Sequence, residues 1–327
     1  MTTTESDSQR VLAVTLSLRI IDGIHKQNMG PAYHVKYLLE WIKHHIGTEN
    51  NQILPEDLTN EERVRLAHYL KLQGQFSNPE NMSAPAPWKK TAYSYDFYRS
   101  LWNTRHRNQN YRFLFGDVRE VPKNPTFVKS RPINSKNANS VLLPLEMSRH
   151  FIFPRDYKSF ESKIDKAVWR GACYQPWRKK FMDIAIRSQL IDAANTARRN
   201  TNPAHAGTFL SITQQRNYKC IISLEGNDVA SNLKWAMYSN SVVIMPRPKF
   251  ETWFCEDFLV PDMHYLQLDD DYQNLDQLVE TALDDVRLSQ AIITNQNAHA
   301  EQFTDIQRQY GLGGLVMDRY FELSEPN

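Results

Sequence analysis

Cysteine is scarce in this chain and forms no pattern: Cys173, Cys220 and Cys255 are odd in number and widely spaced. No CxxC pair and no Cys/His ligand spacing occurs, which argues against a disulfide framework and a structural zinc site. Charge of one sign is not in excess either. The formal net charge is +2, so no bulk field demands nucleic acid as a partner. Long apolar runs are missing, and nothing approaches the roughly 18–20 residues needed to span a bilayer. The N-terminus, MTTTESDSQR, lacks the charged and apolar regions of a secretory signal, which points to the cytoplasm. Glycine-rich phosphate loops of the GxGxxG and GxxxxGK[ST] types do not occur, which weakens dinucleotide oxidoreductase and P-loop NTPase readings.

What is present describes an ordinary globular protein, with 41% hydrophobic and 23% charged residues. At 327 residues the chain is long enough for two domains, each with its own core. Basic clusters at Arg105, Arg107 and Arg112, and from Arg170 to Lys180, suit an anionic substrate or a membrane surface better than a long polyanion.

Periodicity predicts a helix over residues 11–43, and Thr59 to Glu62 forms a capping box before a second. A Pro/Ser/Asn-rich loop over 77–87 and a helix near 93–102 follow. Strands are expected at 111–115, 127–133, 166–171, 218–222, 241–245 and 264–268. Helices are expected over 177–199, 250–258 and 275–303. Strands alternating with helices argue for parallel βαβ units, in which ligands sit beyond the carboxyl ends of strands. Gly116, Gly171, Gly226, Pro246 and Asp269 all fall at such ends.

The richest stretch runs from Tyr218 to Trp235. A β-branched strand turns through Gly226 into Asn227 and Asp228, a cap-forming pair, and then into a helix bearing Leu233, Trp235 and Met237. A helix N-terminus in that place would offer free N–H groups to a phosphate, with Ser231, Asn232 and Lys234 within reach.

These segments together resemble glycosyltransferase family 90, which includes protein O-glucosyltransferases and bacterial lipopolysaccharide A proteins. The resemblance rests on the order of Val128–Ile133, Ser140–Pro144, Val168–Gly171 with Pro176 and Arg178, Tyr218–Trp235, Ser239–Val243, Trp253–Phe254 and Leu259–Tyr265. It covers roughly residues 110 to 270 and is nearer the bacterial branch. It implies a GT-B-like α/β fold of two Rossmann-type domains with a helical N-terminal region. Residues 1–160 would be the acceptor side and 161–327 the nucleotide-sugar domain, with the last helix packing back on the first domain.

The activity so implied is inverting, metal-independent transfer of a hexose, glucose or galactose, from a UDP-sugar to a lipopolysaccharide core or another surface glycan. No cofactor is expected, and peripheral contact with the inner face of the cytoplasmic membrane is left open. Donor contacts map to Arg170, Gly171, Arg178, Gly226, Asn227, Asp228, Ser231, Asn232 and Lys234. Animal members carry an arginine where this chain has Asn232, so Ser231 or Lys234 would compensate. Lys129 and Arg131 are assigned to the acceptor, with a local ion pair the alternative for Arg131.

Inversion needs a carboxylate to take the acceptor's proton. Anchoring on Pro122 selects Glu120, whereas strand-end geometry selects Asp117. A bland reading competes at several positions: Asp269–Asp271 as a polar strand exit, Trp169, Trp235 and Trp253 as core, and His264 as structural. Two alternatives stay open, a non-catalytic sugar- or nucleotide-binding protein of the same fold and a metal-dependent enzyme using Asp269–Asp271.

Overall fold

The computed structural model describes residues 53–77, 91–106, 109–197 and 202–324. The helix expected over 11–43 lies outside them, as does the expected 77–87 loop beyond Ser77. Helix α1 (Asn60–Tyr69) starts as its sequence demands: Thr59 Oγ1 accepts from Glu62 N at 3.2 Å, and Glu62 Oε2 accepts from Thr59 N at 2.9 Å. Helix α2 (Thr91–Trp102) follows. Strands β1 (Phe113–Leu114), β2 (Thr126–Val128) and β4 (Ser140–Leu142) form a parallel sheet in the order β1-β2-β4. Between the last two, β3 (Ser130–Pro132) leaves this sheet, and after β4 comes the short helix α3 (Met147–His150).

A second parallel sheet has the order β10-β8-β7-β5-β6. Its strands are β5 (Ile164–Gly171), β6 (Ile191–Asn195), β7 (Tyr218–Ile222), β8 (Val242–Met245) and β10 (Leu266–Gln267). Parallel neighbours need crossovers, and α4 (Pro176–Ala185), α5 (Ile212–Gln215) and α6 (Leu233–Met237) supply them. Because both faces are covered, strand residues are apolar on both sides. Val168, Ile221 and Val243 join the core shared with the first sheet. Ala167, Trp169, Cys220, Ile222, Val242 and Ile244 pack on the other face with α4, α7 (Leu275–Asp284) and α8 (Val286–Glu301).

Two features join the halves of the chain. Strand β3 pairs antiparallel with β9 (Phe250–Thr252), with Arg131 opposite Glu251. Helix α9 (Ile306–Leu323) lies against α1 and α2, where Tyr310 Oη donates to buried Asp96 Oδ1 at 2.6 Å. A Cβ on Gly313 would come within 2.4 Å of Ser100 Oγ, and one on Gly314 within 2.6 Å of Asn103, so glycine sets how closely these helices approach.

The parallel α/β class agrees with the sequence pattern, while several elements differ. The helix expected over 177–199 ends at Ala185, and Ile191–Asn195 is instead the edge strand β6, paired with β5 through Val168 and Asp192. Alanine-rich sequence favours a helix locally, and pairing overrides it. The 250–258 segment holds β9 and a single 3-10 turn at Glu256–Phe258, because distant β3 recruits Phe250–Thr252. The long helix after 275 breaks at Asp285, whose carboxylate accepts from Leu288 N and restarts it as α8. The helix expected just after Gly226 begins only at Leu233, with Asn232 as its cap residue.

Candidate active site

Strand exits from both sheets converge on one ammonium group. After β1 the chain passes Gly116, whose φ of 114° falls in the region glycine adopts most easily, and delivers Asp117. Lys129 stands between β2 and β3, so ladders on either side fix its backbone. The exit of β4 carries Glu146 in a left-handed conformation, φ 58°, just before α3. The exit of β7, in the other sheet, carries Asn227 and Asp228.

Lys129 Nζ lies 2.8 Å from Asp117 Oδ1, 2.8 Å from Asp228 Oδ2 and 3.3 Å from Glu146 Oε2, and is shut off from solvent. Ser130 Oγ donates to Asp228 Oδ2 at 2.7 Å, and Asn227 Nδ2 donates to Asp117 Oδ2 at 3.1 Å. Tyr93 Oη and Arg149 donate to the two oxygens of Glu146 at 2.8 and 2.9 Å. Asp117 is the carboxylate of this group most open to solvent, its side chain 32% exposed against 6% for Asp228 and 10% for Glu146.

Burial works against the charge on Lys129, yet Asp228 and Glu146 overcome it and hold the ammonium firmly protonated. For Asp117 burial acts upward, but the hydrogen bond and charge of Lys129, with Asn227, bring it below the usual carboxylate range. Burial wins at Asp228, which is raised despite Lys129 and Ser130. Glu146 is depressed: burial is outweighed by neighbouring His150, Arg149 and Lys129. The arrangement is one ionised, partly open carboxylate held by a buried ammonium and an amide.

The other expected residues fall in different surroundings. Glu120 is exposed in the loop before Pro122 and takes no part in the cluster. Arg131 is fully buried: Nε meets Glu251 Oε1 at 2.8 Å, and the other nitrogens donate to the carbonyls of His68, Tyr69 and Ser140. The structure thus contains the local ion pair named as the alternative to an acceptor contact. Arg170 spans β5 and β6, reaching Asp192 Oδ1 at 2.7 Å and the carbonyls of Trp169, Asp192 and Thr208. Arg178 donates to the carbonyls of Ala172, Leu224 and Glu225, tying the ends of β5 and β7 together. Its NH2 would lie 3.4 Å from a Cβ on Gly226, while a Cβ on Gly171 would meet the Trp169 ring at 2.6 Å.

Lys234, expected within reach of a phosphate, is buried, 2.9 Å from Glu256 Oε1 and beside the Trp253 and Phe254 rings. Asn232 is spent on Ser223 and the Ile222 carbonyl, whereas Ser231 and Asn227 are exposed. Trp169, Trp235 and Trp253 are core, and His264 Nδ1 accepts from Val260 N. Asp269–Asp271 forms a turn in which Asp270 pairs with Lys249 at 3.1 Å.

Beside the cluster, at the carboxyl ends of β7 and β8, a small cleft is lined by Ser223, Glu225, Val229, Met245, Phe250 and Glu256. Glu225 Oε1 accepts from Lys249 N and Phe250 N, and burial pushes its carboxyl up to about 7 despite those bonds. The sequence pattern had pointed to neither Glu225 nor Glu146, Arg149 and Tyr93. The apolar run 141–145 ends in Glu146, and that is the signal the sequence offers.

Comparison with known proteins bears on this arrangement. Residues 145–323 match the Glycosyl transferase family 90 profile, a span that includes Glu146, Asp228 and the cleft while Asp117 and Lys129 precede it. The chain is 36% identical over 275 residues to the O-glucosyltransferase LpsA of Dichelobacter nodosus, covering 83% of this chain and 86% of that protein. No helix among the described residues is long and apolar enough to cross a membrane. On the family match and the extent of that identity, the chain belongs to glycosyltransferase family 90 and is a glycosyltransferase.

Proposed function

We propose that the protein is an inverting, metal-independent hexosyltransferase that moves glucose or galactose from a UDP-sugar to a lipopolysaccharide core or another surface glycan. It works at the inner side of the cytoplasmic membrane, and its two parallel sheets act as a GT-B-like pair. The observation that carries this reading is the position of Asp117. It is a partly open carboxylate at a strand end of the first sheet, hydrogen-bonded at 3.1 Å to Asn227 at a strand end of the second. Ligands of parallel α/β sheets bind at such ends.

In the proposed reaction Asp117 accepts the acceptor hydroxyl proton as that oxygen attacks the anomeric carbon. The bond from that carbon to the UDP oxygen breaks, and UDP leaves from the opposite face. The donor lies along the exits of β5 and β7, where Gly171, Gly226, Asn227 and Ser231 present backbone and small polar groups. Arg170, Arg178, Asn232 and Lys234 hold the walls rather than the ligand, since their polar atoms are bonded within the protein, and Asp228 spends Oδ2 on Ser130 and Lys129. Glu120 is disfavoured as the base because Asp117, not Glu120, is the carboxylate tied to Lys129 and Asn227.

UDP release from UDP-glucose and UDP-galactose tests the donor, and two variants test the base. Asp117→Asn should lower kcat by about 10²–10⁴-fold with UDP affinity near normal, since a general base contributes that much. Glu120→Gln should stay within a few-fold of wild type. The reverse pattern moves the base to Glu120, and no turnover with either sugar defeats the donor assignment.

A further inference from the structure

We infer that Lys129 is a positioning residue for transfer, its ammonium latching the Asp117 carboxylate of the first sheet to the Asp228 carboxylate of the second. The inference rests on Asp117 being the base and adds what holds it in place. Lys129 was expected to meet the acceptor, but its side chain is 0% exposed and three carboxylates surround its Nζ. An ammonium is taken out of water only where charge and hydrogen bonds compensate it.

Four contacts of the latch meet in one place. Lys129 and Ser130 both meet Asp228 Oδ2, at 2.8 and 2.7 Å, while Lys129 and Asn227 grip the two oxygens of Asp117, at 2.8 and 3.1 Å. Lys129 and Ser130, where the chain leaves the first sheet, therefore reach Asp228, and Asn227 beside Asp228 reaches Asp117 in return. Any displacement of the β7 exit by a donor is transmitted through Asp228 and Lys129 to the base.

The charged groups facing this point are Asp117 after β1, Glu146, Arg149 and His150 around α3, Asp228 after β7, Tyr93 of α2, and Lys234 of α6 beyond, paired with Glu256. Removing Lys129 leaves Asp117 beside Asp228 and Glu146 without the nearest cation. The base then binds its proton more tightly, so the acid limb of the rate profile moves to higher pH. Removing the Asp228 charge does the opposite, because Lys129 is left to Asp117 with one competing carboxylate fewer.

The test measures kcat, KM and the pH profile of kcat/KM with UDP-glucose for the full chain carrying Lys129→Met, Lys129→Arg, Asp228→Asn or Asp117→Asn. Lys129→Met should lose about tenfold or more in kcat, keep UDP affinity by calorimetry within about twofold, and shift its acid limb upward. Lys129→Arg should recover most of the rate and the limb, as a filler of space alone would not. If Lys129→Met does not fold, Asp228→Asn decides: a limb moved to lower pH supports the latch, and an unmoved limb overturns it. A folded Lys129→Met variant with wild-type kcat, or one that loses only donor affinity, also overturns it. Near-full activity in Asp117→Asn sinks the base assignment itself, a failure distinct from an inactive Asp117→Asn accompanied by a silent Lys129→Met.

Discussion

Arg131→Met separates a structural from a substrate-binding arginine. The guanidinium is fully buried and bonds Glu251 Oε1 at 2.8 Å, His68 O at 2.6 Å, Ser140 O at 2.9 Å and Tyr69 O at 3.3 Å. It thereby ties α1 to β4 and to the β3–β9 ladder. Methionine fills similar space but donates nothing, so three carbonyls lose a charged donor. Glu251 keeps only His68, at 2.5 Å, and the more distant Lys71, at 3.7 Å. Breaking one partner of a buried pair removes about 3–5 kcal/mol, and about 4 is expected here because His68 still serves Glu251. Unfolding entropy is about 2.1 cal/mol/K per residue. Over 327 residues that gives about 0.7 kcal/mol/K, and hence a Tm lower by about 6 °C if the chain unfolds as one unit. Calorimetry gives Tm, and kinetics well below it give the acceptor KM, which should stay within about twofold. An unchanged Tm together with a raised acceptor KM would refute the argument and return Arg131 to the substrate.

Two further outcomes are expected. Turnover should persist in excess EDTA, because the proposed chemistry has its proton acceptor and charges in side chains. Loss with EDTA and rescue by Mn²⁺ would shift attention to Asp269–Asp271. The Glu225 carboxyl is raised by burial from an ordinary 4.5 to about 7, so the folded state holds its proton longer than the unfolded chain. The stability this group contributes is whole below pH 4.5 and lost as pH rises through about 7. The Tm advantage of wild type over Glu225→Gln should shrink between pH 5 and 8, and a constant difference across that range would refute the assignment.

The local grammar was legible in the chain's own residues. The Thr59–Glu62 box started its helix, the apolar runs around Val168, Ile221 and Val243 became buried parallel strands, and Gly116 brought Asp117 to a strand end. Each depends on neighbours within a few residues, whose preferences add along the chain. Other features depended on partners far away. Ile191–Asn195 became a strand because β5 lay beside it, and Phe250–Thr252 because β3 did. The same holds for charge. A lysine and an arginine in Val128–Ile133 look equally available to a ligand. Only the fold brings Asp117, Glu146 and Asp228 around Lys129, and Glu251 with three carbonyls against Arg131. Periodicity tells which face a residue takes, but whether a buried charge is tolerable depends on compensating groups from distant segments, and tertiary structure alone assembles those.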